Sequence, residues 1–144
     1  MSSKTFAIDA APGLIKRELG LAALTATGYV GTQHDQGGSV VTDFVLVVDV
    51  TTAKVSAGNE TYTLRMIGSN VADRSDGQIL GTMELGDAGT IPIETVDTVA
   101  GSRRVLRCRS EVDQTYFRYI DLHMTVAGTG PSLAFGAFIS REIV

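Results

Sequence analysis

The chain has 144 residues and a net charge of −4. This length is that of one domain, which buries roughly two-thirds of the surface that its unfolded chain exposes. Hydrophobic residues make up 44% and charged residues 19%, a composition that predicts a packed core and excludes a disordered chain. The negative charge argues against nucleic-acid binding and against an anionic membrane, because both need a cationic surface. A single cysteine, Cys108, excludes an internal disulfide, and no apolar h-region opens the chain, so we expect synthesis in the cytoplasm.

The N-terminal part differs in pattern from the rest. We predict an arm over residues 1–20, with a short helical turn between Pro12 and Gly20, followed by one β-sandwich domain over residues 21–144. Within that domain, a short strand is expected at Leu24–Val30 and a turn-rich loop at Gly31–Gly38.

The middle of the chain alternates with the period of two that is typical of strands. A long strand is predicted at Val40–Val50, and its centre is expected to be covered on both sides, because Val45 and Val47 face away from the main apolar stripe. Further strands are predicted at Glu60–Ile67 and Gln78–Leu85. Polar loops are expected at residues 68–77 and 86–98.

The C-terminal third carries the clearest alternation. Strands are predicted at Arg103–Arg109, Tyr116–Val126 and Ser132–Ile139, with a turn at Gly128–Pro131 between the last two. Six to eight short strands with glycine-rich turns predict an all-β fold, a jelly-roll-like antiparallel β-sandwich with an N-terminal arm.

Few residues have the pattern of a catalytic or metal site. His123 has Asp121 beside it on the polar face of a strand, but the His-x-His pair of a jelly-roll metalloenzyme is missing, so we expect no metal and no cofactor. Cys108 shares the inner face with Leu106, which predicts a buried structural thiol. We therefore expect a protein that is not an enzyme.

Four segments are candidates for contact with a protein partner: the arm at residues 1–20, the loops at residues 70–77 and 86–98, and the strand at residues 103–109. The loop at residues 70–77 is rich in oxygen ligands but lacks the spacing of a calcium loop. Alternation places three arginines of the strand at residues 103–109 on one side, where they form either a solvated sheet face or a patch that pairs with acidic groups of a partner. The candidate interface residues are Arg103, Arg107, Arg109, Asp73, Arg74 and Asp76.

The C-terminal sequence resembles a known family. Arg118–Val126, the turn Ala127–Ser132 and Leu133–Ile139 are similar to the closing hairpin of the capsid cement (decoration) proteins of tailed bacteriophages, such as that of a Bordetella short-tailed phage. The resemblance implies a jelly roll on the outer capsid surface of the virion, where it binds the major capsid protein and stabilises the contacts between its copies. It also implies a homo-oligomer, either a dimer or a trimer, whose binding at several sites at once gives strong retention.

Two other functions remain open at this point. A carbohydrate-binding sandwich needs an aromatic platform, for which the chain offers Tyr116 and Tyr119 but no tryptophan. Another head or tail structural subunit of a virion is the further alternative.

Overall fold

The computed structural model describes residues 5–6, 14–86, 102–140 and 142–143. Within these residues every regular element is a strand, and no helix has the length and hydropathy of a membrane-spanning segment. The strands are β1 (Thr5–Phe6), β2 (Ile15–Arg17), β3 (Gly28–Asp35), β4 (Asp43–Ala53), β5 (Thr61–Ser69), β6 (Gln78–Gly86), β7 (Ser102–Arg109), β8 (Glu111–Val112), β9 (Thr115–Tyr116), β10 (Tyr119–Ala127), β11 (Leu133–Ser140) and β12 (Glu142–Ile143).

The two main sheets have the strand order of a jelly roll. One sheet has the order β2-β11-β4-β7 and the other β3-β10-β5-β6, and every pairing within them is antiparallel. The eight strands of the sandwich are β2 to β7, β10 and β11. Counted in chain order, strands 1, 8, 3 and 6 form one sheet, and strands 2, 7, 4 and 5 form the other. This order confirms the predicted jelly-roll-like β-sandwich.

The core lies between the two sheets and is built from alternate residues of each strand. Its buried side chains include Phe44, Leu46, Val48, Tyr62, Leu64, Met66, Leu122, Met124, Leu133 and Phe135. Val45 and Val47 project from β4 to the other side of its sheet and are nevertheless 3% and 0% exposed. The prediction that the centre of β4 is covered on both sides is therefore confirmed.

The expected helical turn near the N-terminus is wrong for residues 15–17, which form the edge strand β2. Ile15 is paired with Phe138 and Arg17 with Ala137, and the amide of Ile139 donates to the carbonyl oxygen of Leu14. The predicted arm over residues 1–20 thus contributes these residues to the sandwich, while residues 1–4 and 7–13 lie outside the described residues. The predicted contact loop at residues 86–98 also lies outside them, apart from Gly86.

Lys16 explains why β2 was not recognised as a strand. Its side chain enters the sandwich, where it is 2% exposed. Nζ donates to the carbonyl oxygens of Thr32, at 2.8 Å, and Ile120, at 3.0 Å. A lysine normally indicates a solvated position, so the pattern of β2 does not look like that of a buried strand.

Strand β3 begins and ends later than predicted. It runs over Gly28–Asp35, so the expected loop at residues 31–38 is mostly strand, and Leu24 forms only an isolated bridge with Leu133. Its pairing with β10 is irregular between Val30 and His34, and Gly31 in this stretch lies close to Lys16 of β2. Gly31 has a φ of 75°, and a Cβ there would overlap the carbonyl oxygen of Lys16, so glycine is required at this crossing.

The strand predicted at Tyr116–Val126 divides into two elements. Thr115–Tyr116 is β9, which pairs with β8 in a small hairpin, and β10 begins at Tyr119. β10 and β11 lie in opposite sheets. The closing hairpin expected from the resemblance is therefore a connection that crosses from one sheet to the other.

Candidate functional site

Three loops meet at one end of the sandwich. They are residues 36–42 between β3 and β4, residues 70–77 between β5 and β6, and residues 110–118 between β7 and β10. The jelly-roll order brings them together, because the strands that lead into them all run toward the same end. We call this surface the loop end.

Asn70 fastens the three loops to one another. Its side-chain Nδ2 donates to the carbonyl oxygen of Tyr116 at 2.8 Å, and its Oδ1 accepts from Ser39 Oγ at 2.6 Å and from the Arg118 amide at 3.0 Å. Its own amide donates to the carboxylate of Asp76. One amide side chain therefore joins all three loops.

Ser110, which is itself fully buried, makes a second set of hydrogen bonds at the loop end. Its Oγ accepts from the Thr42 amide and donates to the carbonyl oxygen of Val40, each at 2.7 Å, and its carbonyl oxygen accepts from the Phe117 amide at 3.1 Å. The buried Phe117 ring packs on Gly68, where a Cβ would lie 2.7 Å from ring atom Cδ2. These bonds order the loop end before any partner binds.

Apolar side chains project from this ordered frame. Val40 is 44%, Val71 40% and Tyr116 45% exposed. Each is tethered by a hydrogen bond to its backbone carbonyl oxygen: that of Val40 accepts from Ser110 Oγ, that of Tyr116 from Asn70 Nδ2, and that of Val71 from the Arg74 amide. We call these three side chains the apolar trio.

The structure places the predicted interface residue Arg74 beneath the loop at residues 70–77. Arg74 Nη2 donates to Asp121 Oδ1 at 3.0 Å, and its Nε lies 3.0 Å from Oδ2 as an ion pair, while Oδ2 accepts a hydrogen bond from Gln33 Nε2 at 2.8 Å. The hydrogen bond with Asp121 raises the pKa of Arg74, and its guanidinium lies 4.1 Å from the centre of the Tyr29 ring. Arg74 therefore anchors the loop to the sheet.

The two predicted aspartates of this loop remain exposed. Asp73 Oδ1 accepts from the Ser75 amide at 2.9 Å, and the hydrogen bonds from Ser75 lower the pKa of Asp73. The Asp76 carboxylate accepts from the Asn70 amide at 3.0 and 3.2 Å. Both carboxylates stabilise the loop by accepting hydrogen bonds from its backbone amides, and both residues are exposed to solvent.

The predicted arginines of β7 share the outer face of that strand. Arg103 Nε and Nη2 donate to the two oxygens of Asp49, at 2.6 and 3.0 Å. Arg109 Nε lies 3.3 Å from Glu111 Oε2 and 3.8 Å from Asp43 Oδ1. Arg107 lies on the same face, so the three project to one side as predicted. The charges of Arg103 and Arg109 are balanced within the chain, and a contact between these arginines and a partner stays a prediction.

The other residues singled out by the sequence are built into the sheets. Cys108 is buried toward the core, and this burial raises its pKa to about 12, as expected of a structural thiol. His123 packs edge-on against Tyr29 at 4.9 Å, and its pKa is lowered by burial and by Arg65. Over the described ranges, no three histidine, cysteine or acidic side chains gather as a metal site would require.

The two tyrosines considered for a carbohydrate platform do not share one environment. Tyr116 belongs to the apolar trio. The guanidinium carbon of Arg118, by contrast, lies over the Tyr119 ring, 5.2 Å from its centre. Arg118 in turn pairs with Asp35 through two hydrogen bonds of 2.8 and 2.9 Å.

Sequence reasoning missed the β8–β9 hairpin and the cleft beside it. The hairpin turns through Asp113 and Gln114, with φ values of 49° and 66°, the two positive values of a type I′ turn. The residue pair favoured there is Asn-Gly, so Asp-Gln gives a weak sequence signal. A cleft of about 230 Å³ lies at the hairpin and is lined by Asp76, Gln78, Val112, Asp113, Thr115 and Phe117.

Comparison with known proteins gives little beyond this geometry. No protein-family model and no curated protein matches the chain. Among solved structures, the chain is similar to the Clostridium thermocellum endo-1,4-β-D-xylanase 10B, a structure of its CBM22-1 and GH10 modules complexed with xylohexaose. The identity is 16% and the TM-score 0.38, over 78% of this chain and 19% of that chain. The chain thus spans about a fifth of that protein's length, and a likeness at this TM-score carries no argument about function.

Proposed function

We propose that this protein is a capsid cement (decoration) protein of a tailed bacteriophage, which binds the major capsid protein on the outer surface of the virion. The resemblance of residues 118–139 to that family supports the proposal. The observation that carries it furthest is the loop end, where an exposed apolar trio stands on a frame ordered by Asn70 and Ser110.

The frame matters because association costs conformational entropy. Loops that order only on binding lose that entropy at the interface, whereas loops already held by hydrogen bonds do not. Asn70 and Ser110 hold the three loops in the free protein. The loop end is thus suited to a protein surface that it meets as a rigid body.

The trio has the chemistry of a protein contact. Tyrosine is enriched among the residues that contribute most to binding, and aliphatic neighbours exclude water around it. Tyr116, Val40 and Val71 supply one aromatic and two aliphatic side chains on a surface otherwise rich in charge. In the proposed role, a homo-oligomer brings two or three such surfaces to the shell at once, and their combined binding retains the protein.

Co-sedimentation with capsids stripped of this protein tests the proposal. Wild-type protein should bind saturably at a fixed ratio to the capsid protein, and Tyr116→Ala combined with Val71→Ser should weaken binding about tenfold or more. Leu21→Ser is the matched control, because Leu21 is 53% exposed in the connection that leads to the far end of β3. Arg107→Glu combined with Arg109→Glu tests the competing arginine face.

The outcomes of this experiment distinguish an error in the proposed cement function from an error in the proposed contact surface. If folded wild-type protein does not bind the shells, the cement function is wrong. If only the arginine variant loses binding, the protein is a cement protein that binds through β7, and the loop end is not its contact surface.

A further inference from the structure

The cleft at the loop end has the shape and lining of a site for one long side chain. Its volume of about 230 Å³ gives room for one side chain. Asp76 and Asp113 line the cleft, together with Val112, Thr115 and Phe117. From this lining we infer that the cleft takes the side chain of an arginine from the partner protein.

The lining offers a partner to each part of an arginine side chain. In the proposed complex the apolar stem packs against the half-buried Val112, and the guanidinium head meets the carboxylates of Asp76 and Asp113. Both oxygens of Asp76 already accept from the Asn70 amide, yet a carboxylate has about four lone-pair sites and accepts further donors. Five donors in a planar fork match two separate carboxylates better than the single ammonium of lysine does.

The charge around the cleft favours the same partner. Residues 35–43, 70–78 and 109–118 hold six carboxylates and three arginines, a net charge of −3 against −4 for the whole chain. The acidic residues are Asp35, Asp43, Asp73, Asp76, Glu111 and Asp113, and the basic ones are Arg74, Arg109 and Arg118. The loop end together with the residues that flank it thus accounts for −3 of the chain's net charge of −4, which attracts a cationic surface.

The identity of the partner rests on the proposed function, but the cleft can be tested without it. Nα-acetyl-arginine methylamide is titrated into the 15N-labelled protein, with the neutral citrulline derivative as the matched control. We expect saturable amide shifts in residues 76–78 and 112–117 for the arginine probe, and an affinity at least about tenfold weaker for citrulline. Equal binding of both probes, or no saturable shift with arginine, would overturn the inference.

Asp113→Asn is the preferred variant, because asparagine tolerates the positive φ of this position as well as aspartate does. It should weaken arginine binding about three- to tenfold, and Asp76→Asn should add to the loss. Asp43→Asn is the control at the same end, since its side chain is 81% exposed and does not line the cleft. If Asp43→Asn weakens binding as much as Asp113→Asn, the effect is one of general charge and the cleft is not the site.

The same variants, assayed on stripped capsids, distinguish the two proposals. If the arginine probe binds in the cleft but the wild-type protein does not bind capsids, the inference about the cleft is supported and the cement function is wrong. Capsid binding that survives Asp76→Asn and Asp113→Asn together keeps the cement function and overturns the cleft as its contact.

Discussion

The buried amine of Lys16 makes the stability of this protein depend on pH in the alkaline range. The pKa of Lys16 is lowered from 10.5 to about 8, because burial disfavours the charged form more than Asp121 favours it, and Arg74 lowers it further. Between these two values the unfolded chain holds more protons than the folded one. The free energy of unfolding therefore rises with pH from about 8 to 10.5.

The size of the effect follows from the same two values. Each tenfold change in the protonation equilibrium corresponds to about 1.4 kcal/mol. The fall from 10.5 to about 8 thus amounts to about 3 kcal/mol. This cost is fully present at pH 7, where both states are protonated, and it vanishes above pH 10.5, where both are neutral.

Comparison with Lys16→Met isolates this group from the other residues that titrate. Urea denaturation of both proteins, followed by far-UV circular dichroism, gives the free energy of unfolding at each pH. The wild-type value minus the variant value should rise by about 3 kcal/mol between pH 7 and pH 10.5. A difference that does not change over this range would refute the reasoning, because it would mean that the Lys16 amine is not desolvated in the folded protein.

Three further predictions concern packing and local strain, and denaturation measures each. Gly81→Ala should lower the free energy of unfolding by about 1–3 kcal/mol, because a Cβ there would lie 2.7 Å from Cys108 Sγ. Adding Cys108→Ala to the same chain should recover most of this loss, and additive effects of the two substitutions would show that the two sites do not touch. Gln114→Gly should stabilise the hairpin by about 0.5–1 kcal/mol by relieving its φ of 66°, and a loss of stability would contradict the type I′ turn. Asp121→Ala leaves Arg74 unpaired, so it should lower the free energy of unfolding by about 3 kcal/mol and speed amide hydrogen exchange in residues 70–77. Unchanged exchange in these residues would show that this ion pair does not hold the loop.

The strands that alternate regularly were predicted from the sequence, since a period of two is set by the residues themselves. β5, β6, β7 and β11 lie within two residues of their predicted positions, whereas β4 begins and ends three residues later than predicted, which leaves Val40 in the loop before it. β2 was not predicted, because its central residue is a lysine whose burial depends on carbonyl oxygens of Thr32 and Ile120, far away in the sequence. Such a position is recognisable only once the other strands are in place.

The loop end was predicted only in part, for a related reason. The polar composition of residues 70–77 identified the loop and its exposed aspartates. The pairing of Arg74 with Asp121 spans 47 residues, and Asn70 reaches residue 116 across 46. No local pattern encodes these contacts, so neither the anchor of the loop nor its junction with the β8–β9 hairpin was visible in the sequence.

The strand order of the first sheet has a consequence for how the chain folds. β11 pairs with both β2 and β4, so that the last strand of the sandwich joins the first and the third. During synthesis, a nascent chain that has not yet reached residue 133 leaves β2 without its partner and one side of β4 open. We therefore expect slow folding that is completed only after the C-terminal strands have left the ribosome, with the open edge of β4 exposed to aggregation until β11 arrives.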